Sequence, residues 1–366
     1  MRDLVSYLQR LWYDEDRPIR PFLDFLLHVL SLPYAAGTRL RNILYDRGLL
    51  RTHRVSCPVV SVGNLVAGGT GKTPAVILIA GLLRDAGYKP AVLSRGYGGE
   101  NSEAVKVVSD GINILSGSSD AGDEAILTAM SLKGIPVLTG PERHRAARYA
   151  IENLGCDVLV LDDGFQHRAL SRNLDILLMD SEKPLGNGFL LPRGPLREPL
   201  NSLKRADLLV LTRSDEDATP STSRPSLGKT FPDKPIFTAR HRPKAIRRGG
   251  GTEVQPSEFL AGKKVLAFAG IARPASFEKT VRALGASLLG LIPFPDHHVY
   301  TEGDIRELES KAAGLSADLI LTTEKDAVKL SPFGRFSEGV YVLSIEMEIT
   351  AHEGTFAEWL LNHLKS

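Results

Sequence analysis

From residue 55 onward the hydrophobic positions fall into short, nearly continuous runs. CPVVSVG (57–63), PAVLS (90–94), IPVLTG (135–140), DVLVLDD (157–163), LDILLMD (174–180) and DLLVLT (207–212) are rich in Val and Leu and end in Gly, Ser, Asp or Thr. Such runs predict buried parallel strands, covered on both faces. Helical stretches lie between several of them, at Pro74–Ala86 and Glu142–Asn153. Strand–helix alternation at this spacing predicts a doubly wound, mostly parallel α/β sheet. Beyond HRPKAIRRGGGTEV (241–254) a second, smaller α/β unit is expected. Its strands are KKVLAFAG (263–270), ADLILTT (317–323) and VYVLS (340–344), with a closing helix near Phe356–Leu364. Residues 55–240 and 241–366 are thus expected to form two domains, behind an N-terminal segment of residues 1–54. Two stretches interrupt the pattern. EKPLGNGFLLPRGPLREP (182–199) is rich in Gly and Pro and too long for a turn, which marks a functional loop. SDEDATPSTSRPSLGKTFPDKP (214–235) has the composition of an exposed connector.

The N-terminal segment follows a different rule. FLLHVLSLPYAAGT (25–38) carries no formal charge across 14 residues. A spanning helix needs about 20 apolar residues, so the run is too short to cross a bilayer. It also lacks the basic start and small-residue cleavage site of a signal peptide. Arg39, Arg41, Arg47, Arg51 and Arg54 follow, against a single Asp46. Two readings stand side by side: a helix lying in a membrane interface, and a helical lid packed on the domain with solvated arginines.

Bulk properties alter this picture little. The chain has 366 residues, long enough for two cores, and its 43% hydrophobic and 24% charged residues are ordinary for a globular protein. A formal net charge of +2 supplies no field that argues for nucleic acid. Cys57 and Cys156 lie far apart and border apolar runs, so they are expected as buried core thiols.

The chemistry concentrates at strand ends. VVSVG runs into NLVAGGTGKTP (64–74) and then an apolar helix, the context of a phosphate-binding loop. Glycine-rich turns aim backbone N–H groups at phosphates, and the helix N-terminus adds positive dipole. Lys72 would reach the terminal phosphates and Thr73 would ligate Mg²⁺. The strict pattern wants Gly at position 66, where this chain has Val66. LVLDDGFQH (159–167) puts Asp162 and Asp163 at the end of a buried strand, where a carboxylate can hold the Mg²⁺ shell. AGDEA (121–125) offers Asp123 and Glu124 at a helix start, a place that capping alone also explains. FPDHHVY (294–300) groups Asp296, His297 and His298, an arrangement suited to a histidine held against an acid for proton transfer. Arg143, Arg145 and Arg148 in GPERHRAARYA suit phosphate oxygens or a solvated helix face.

SVGNLVAGGTGKTP, SRGYGG, GDE, GPERHRAA, LDDGFQH, GNGFLLPRGPLREP, FAGIARP, FPDHH and TTEKDAVK occur in that order. Together they resemble the tetraacyldisaccharide 4'-kinases of lipid A synthesis, from about residue 20 to the end. That family also departs from the strict loop pattern where Val66 sits. The resemblance implies a P-loop enzyme held on the cytoplasmic face of the inner membrane without spanning it. It would move the γ-phosphate of ATP, with Mg²⁺, to the 4'-hydroxyl of a tetraacylated disaccharide 1-phosphate. By the same resemblance Asp123 is the base on the sugar hydroxyl, His297 (rather than its neighbour His298) is its partner, and Lys72 serves catalysis. Val66, Ala67, Gly68, Gly69, Thr70, Gly71, Lys72 and Thr73 would hold ATP. Thr73, Glu124 and Asp162 would hold Mg²⁺, with Asp163 close by. Asn64, Arg95, Tyr97, Arg143, Gln166 and His167 would meet the acceptor, and the N-terminal segment would help select the lipid. A rival class is a nucleotide-dependent switch or chaperone. It draws on TRSD (212–215) and TEKD (323–326), both loosely similar to a guanine-reading motif.

Overall fold

The continuous apolar runs are strands buried on both faces. This computed structural model describes residues 2–13, 21–96, 105–214, 233–251, 253–350 and 353–364. The first sheet contains β1 (Val59–Asn64), β2 (Pro90–Ser94), β3 (Lys106–Ser109), β4 (Val137–Thr139), β5 (Val158–Asp162), β6 (Leu174–Asp180) and β7 (Leu208–Thr212). Their spatial order is β3-β4-β2-β5-β1-β6-β7, parallel except for the β3–β4 pair. In β5, Val158 and Val160 enter the core on one face, while Leu159 and Leu161 enter it on the other. Period-two alternation with helices on both sides leaves no polar face, so the run reads as unbroken.

The helices are α1 (Arg2–Tyr13), α2 (Pro21–Asp46), α3 (Lys72–Asp85), α4 (Ser118–Ala121), α5 (Asp123–Ser131) and α6 (Arg143–Leu154), followed by those of the second half. α3 buries Val76, Ile79 and Leu83 on one sheet face, and α6 buries Ala146, Ala147 and Ala150 on the other. β1 lies between β5 and β6, so the carboxyl ends of these three strands open onto one crevice. Gly63 is required there. A Cβ on it would stand 2.6 Å from the Phe165 Cβ, closing the path of the turn that leaves β5.

The second half contributes β8 (Ile236–Arg248), β9 (Val254–Gln255), β10 (Lys264–Ala269), β11 (Ser287–Pro293), β12 (Leu319–Thr323) and β13 (Tyr341–Ile349). β8 joins the two halves: its first residues pair with β7 in parallel, and Ala239–Arg248 pair with β13 antiparallel. Its composition hid it from pattern reading. Arg240, Arg242 and Lys244 alternate with less polar residues and meet Glu348 and Glu346 across the ladder, at 2.8, 3.8 and 3.4 Å. Such cross-strand pairs let a highly charged sequence hold a strand. Pro243 lies at the register shift opposite Ile345, where a missing N–H is tolerated. The closing helix, Glu353–Leu364, returns to the first half and packs Phe356, Leu360 and Leu364 into its core.

α2 is longer than its uncharged run: it passes through Pro33 and Gly37 and continues from Arg39 to Asp46. Only Leu27 and Ser31 are buried along it. Phe22, Phe25, Leu26, Val29, Leu30, Leu40 and Ile43 stay exposed. Arg39, Arg47, Arg51 and Arg54 are exposed as well, but Arg41 turns inward to Glu198 at 3.2 Å. No helix among the described residues is long and apolar enough to cross a membrane.

Candidate active site

The phosphate loop is held open by its neighbours. Asn64 at the end of β1 is buried and donates to Gly68 O (3.3 Å) and Thr70 Oγ1 (3.0 Å). Thr212 Oγ1 donates to Thr70 O (3.0 Å), and an Arg213 guanidinium nitrogen to Gly69 O (2.6 Å). Tyr13 of α1 donates its hydroxyl to Ala67 O at 2.8 Å. The Ala67 amide is spent on Pro195 O (2.7 Å), and Val66 forms a bridge with Leu196. Val66 is buried among Leu65, Leu196 and Leu203, which explains an apolar residue where the strict pattern has Gly. Gly71 has φ 82°, in the left-handed region, with the His241 ring directly beyond it. Lys72 and Thr73 then open α3.

The acids sort by their partners. Asp163 Oδ1 lies 3.7 Å from Lys72 Nζ, and both its oxygens accept from Arg197, at 2.8 and 2.9 Å. Burial works against its charge, but Lys72 and Arg197 outweigh it and hold the carboxyl below its ordinary value. Asp162 is the opposite case. Burial, with repulsion from Glu124, raises its carboxyl from 3.8 to about 7. Its Oδ1 is buried with no hydrogen-bond partner among the described residues. An unpartnered buried carboxylate oxygen beside a P-loop fits a Mg²⁺ ligand, and an oxygen-only set with Thr73 and Glu124 suits that ion. Among the described residues no group of three or more His, Cys, Asp and Glu could hold a metal. Mg²⁺ needs none, since it takes its other oxygens from phosphate and water.

Of the residues expected to meet the acceptor, Gln166, Arg143 and His167 lie near the phosphate loop and Asp162. Gln166 Nε2 donates to Asn64 O (3.0 Å) and its Oε1 accepts from Arg197 (3.3 Å), so it ties this turn to the phosphate loop. Burial and the nearby Arg143 push His167 down to about 4, leaving a neutral ring whose Nε2 has no partner among the described residues. Arg143 is buried and donates to Asp162 O at 3.4 Å. Arg145 and Arg148 are instead exposed and pair with Glu142 and Glu152, a solvated helix face. Arg95 is exposed at the end of β2, and Tyr97 lies outside the described residues.

Asp123 and Glu124 open α5, and the second half reaches them with two lysines that pattern reading passed over. Lys325 Nζ lies 3.3 Å from Glu124 Oε1, 3.0 Å from Asp296 Oδ1 and 3.3 Å from His297 Nε2. Lys329 Nζ lies 3.9 Å from Asp123 Oδ2. His297 is exposed, with φ 59°, and Lys325 and Asp296 are its partners; no contact joins it to Asp123 among the described residues. His298 is committed elsewhere, to Asp304 at 3.1 Å and to a stack on Phe294. Arg197 is the other residue missed. It stands in a Gly/Pro-rich loop with no local signal of a partner 34 positions away. TRSD and TEKD are accounted for by structural contacts: Thr212 and Arg213 brace the phosphate loop, while Thr323 caps the short helix Glu324–Ala327 and Lys325 reaches Glu124.

Strand, glycine loop, Lys-Thr helix start and acid on the adjacent strand define a P-loop nucleotide-binding α/β protein. The family model described as tetraacyldisaccharide-1-P 4'-kinase matches residues 23–365, and the chain belongs to that family. It is 46% identical over 366 residues to the tetraacyldisaccharide 4'-kinase of Syntrophus aciditrophicus (strain SB), covering 98% of each chain. Identity to the enzyme of that name from Syntrophobacter fumaroxidans is 40%, covering 98% of this chain and 93% of that one. The crystal structure of LpxK from Aquifex aeolicus in complex with ATP aligns with a TM-score of 0.75 at 34% identity. That alignment covers 93% of this chain and 99% of that one. A switch or chaperone is not favoured by these matches.

Proposed function

We propose that this protein transfers the γ-phosphate of ATP to the 4'-hydroxyl of a tetraacyldisaccharide 1-phosphate, working on the cytoplasmic face of the inner membrane. The observation that carries this reading is one crevice in which the P-loop Lys72 and the unpartnered Asp162 oxygen lie near Glu124 of α5. Phosphoryl transfer asks a protein mainly for positioning and charge neutralisation. Lys72 meets the transferring phosphoryl group, and the amides from Gly68 to Thr73 cradle the phosphates. Thr73, Asp162 and Glu124 would hold Mg²⁺, which would supply neutralisation of phosphate charge. Asp123 accepts the proton of the sugar hydroxyl. His297 supports it from the second half as the cleft closes, and Arg95, Arg143 and His167 line the acceptor side.

The exposed stripe of α2 gives the protein a way to its lipid. Burying an apolar helix face in the interface holds a protein at a bilayer that it does not cross. Each exposed arginine from Arg39 to Arg54 adds up to about 1 kcal/mol near anionic lipid, falling within a Debye length. The test is direct. Purified protein with MgATP and the disaccharide 1-phosphate in mixed micelles should yield a lipid bearing a second phosphate. ATP consumption without that product would overturn the reading.

A further inference from the structure

We infer that Lys329 is a positioning residue for Asp123, an inference resting on the reading of Asp123 as the group that accepts the acceptor's proton. Lys329 stands on the 3₁₀ turn Val328–Phe333 with its side chain only 6% exposed. Its ammonium lies 3.7 Å from Asp326 Oδ1 and 3.9 Å from Asp123 Oδ2, and makes no hydrogen bond among the described residues. A buried ammonium with unfilled donors is a poor stabiliser, because desolvation offsets most of its Coulomb gain. It sits at similar distances from two carboxylates, one from each half.

The mount on the second-half side is rigid. Asp326 is fully buried and accepts from Gly270 N (3.0 Å), Tyr300 OH (2.9 Å) and Thr323 Oγ1 (2.7 Å). That network fixes the point from which Lys329 reaches out. On the other side Asp123 begins α5, where no side-chain cap orients it. Lys325, one turn earlier in sequence, holds the neighbouring Glu124 in the same way. The pair of lysines therefore sets the direction of both α5 acids from across the cleft. When the acceptor enters, Lys329 keeps the Asp123 carboxylate aimed at the hydroxyl and offsets its repulsion from the incoming phosphates. Lys329 touches no reacting atom in this account; it acts through Asp123.

The experiment compares Lys329→Met, Lys329→Arg, Asp123→Asn and the Lys329→Met/Asp123→Asn double variant in the full chain. It reads kcat, KM for ATP, KM for lipid, and the melting temperature. Misaiming a catalytic group by about 1 Å costs on the order of 100-fold, so Lys329→Met should lose about that factor in kcat. Both KM values and the melting point should stay near those of the parent, and Lys329→Arg should recover most of the rate. In the Asp123→Asn background, Lys329→Met should cost nothing further. Loss through KM or melting temperature, or multiplicative losses in the double variant, would show a structural lysine and overturn the inference. Normal turnover in Lys329→Met with a dead Asp123→Asn would overturn it alone. Full turnover in Asp123→Asn would instead remove the base reading on which it stands.

Discussion

Replacing Asp162 by Asn separates what this carboxylate does for catalysis from what it costs the fold. Asp162 ends β5 fully enclosed, and burial with Glu124 nearby raises it from 3.8 to about 7. The folded chain therefore holds this proton more tightly than the unfolded chain does. Asp162 favours folding at low pH, and that contribution is lost as pH rises from about 4 through about 7. Asn has no proton to lose. Between about pH 5 and about pH 8, the stability of the variant relative to the parent should thus rise by about 3 kcal/mol, at about 1.4 kcal/mol per pH unit over the two units below pH 7. Urea unfolding of both ligand-free proteins at the two pH values measures this difference. Groups remote from Asp162 titrate alike in the two proteins and cancel. Kinase turnover should fall by orders of magnitude in the same variant, and MgATP should narrow the stability gap by giving the parent's carboxylate a partner. A stability difference that is the same at both pH values would refute the picture of a desolvated, unpartnered carboxylate.

Three further outcomes follow from the geometry. Lys72→Ala should cut turnover by about 100-fold or more while Arg197 keeps Asp163 paired and the fold intact; near-normal turnover would take the P-loop out of the mechanism. Changing the exposed Phe25, Leu26, Leu30 and Leu32 together to polar residues should release the protein from vesicles and raise the apparent KM for lipid. ATP affinity should not move, and continued pelleting with normal lipid use would make α2 a purely structural helix. Glu198 is fully buried and holds Arg205 at 3.0 Å and Arg41 at 3.2 Å, so Glu198→Ala should cost about 3 kcal/mol by leaving a buried guanidinium uncompensated. An unchanged urea midpoint would show that the arginines find water instead.

Much of this protein is written in local pattern. The parallel strands, the P-loop between β1 and α3, and the acids ending β5 are properties of neighbouring residues. Continuous burial, glycine freedom and strand-end polarity each act within a few positions, so a linear reading recovers them. The uncharged run of α2 was equally legible, although the helix extends past it to Asp46.

What joins the halves was decided only by tertiary structure. β8 shows no apolar strand pattern until β13 supplies Glu346 and Glu348 opposite its basic residues. Lys325 and Lys329 stand in TTEKDAVK with no local sign of their partners until the second half brings them onto α5, some 200 positions earlier in the chain. FPDHH offers two adjacent histidines, and only packing turns one toward Lys325 and the other onto Asp304. The reason is common to all of these. A charged side chain takes its role from whichever opposite charge the sheet order brings within reach, and no spacing along the chain encodes that distance.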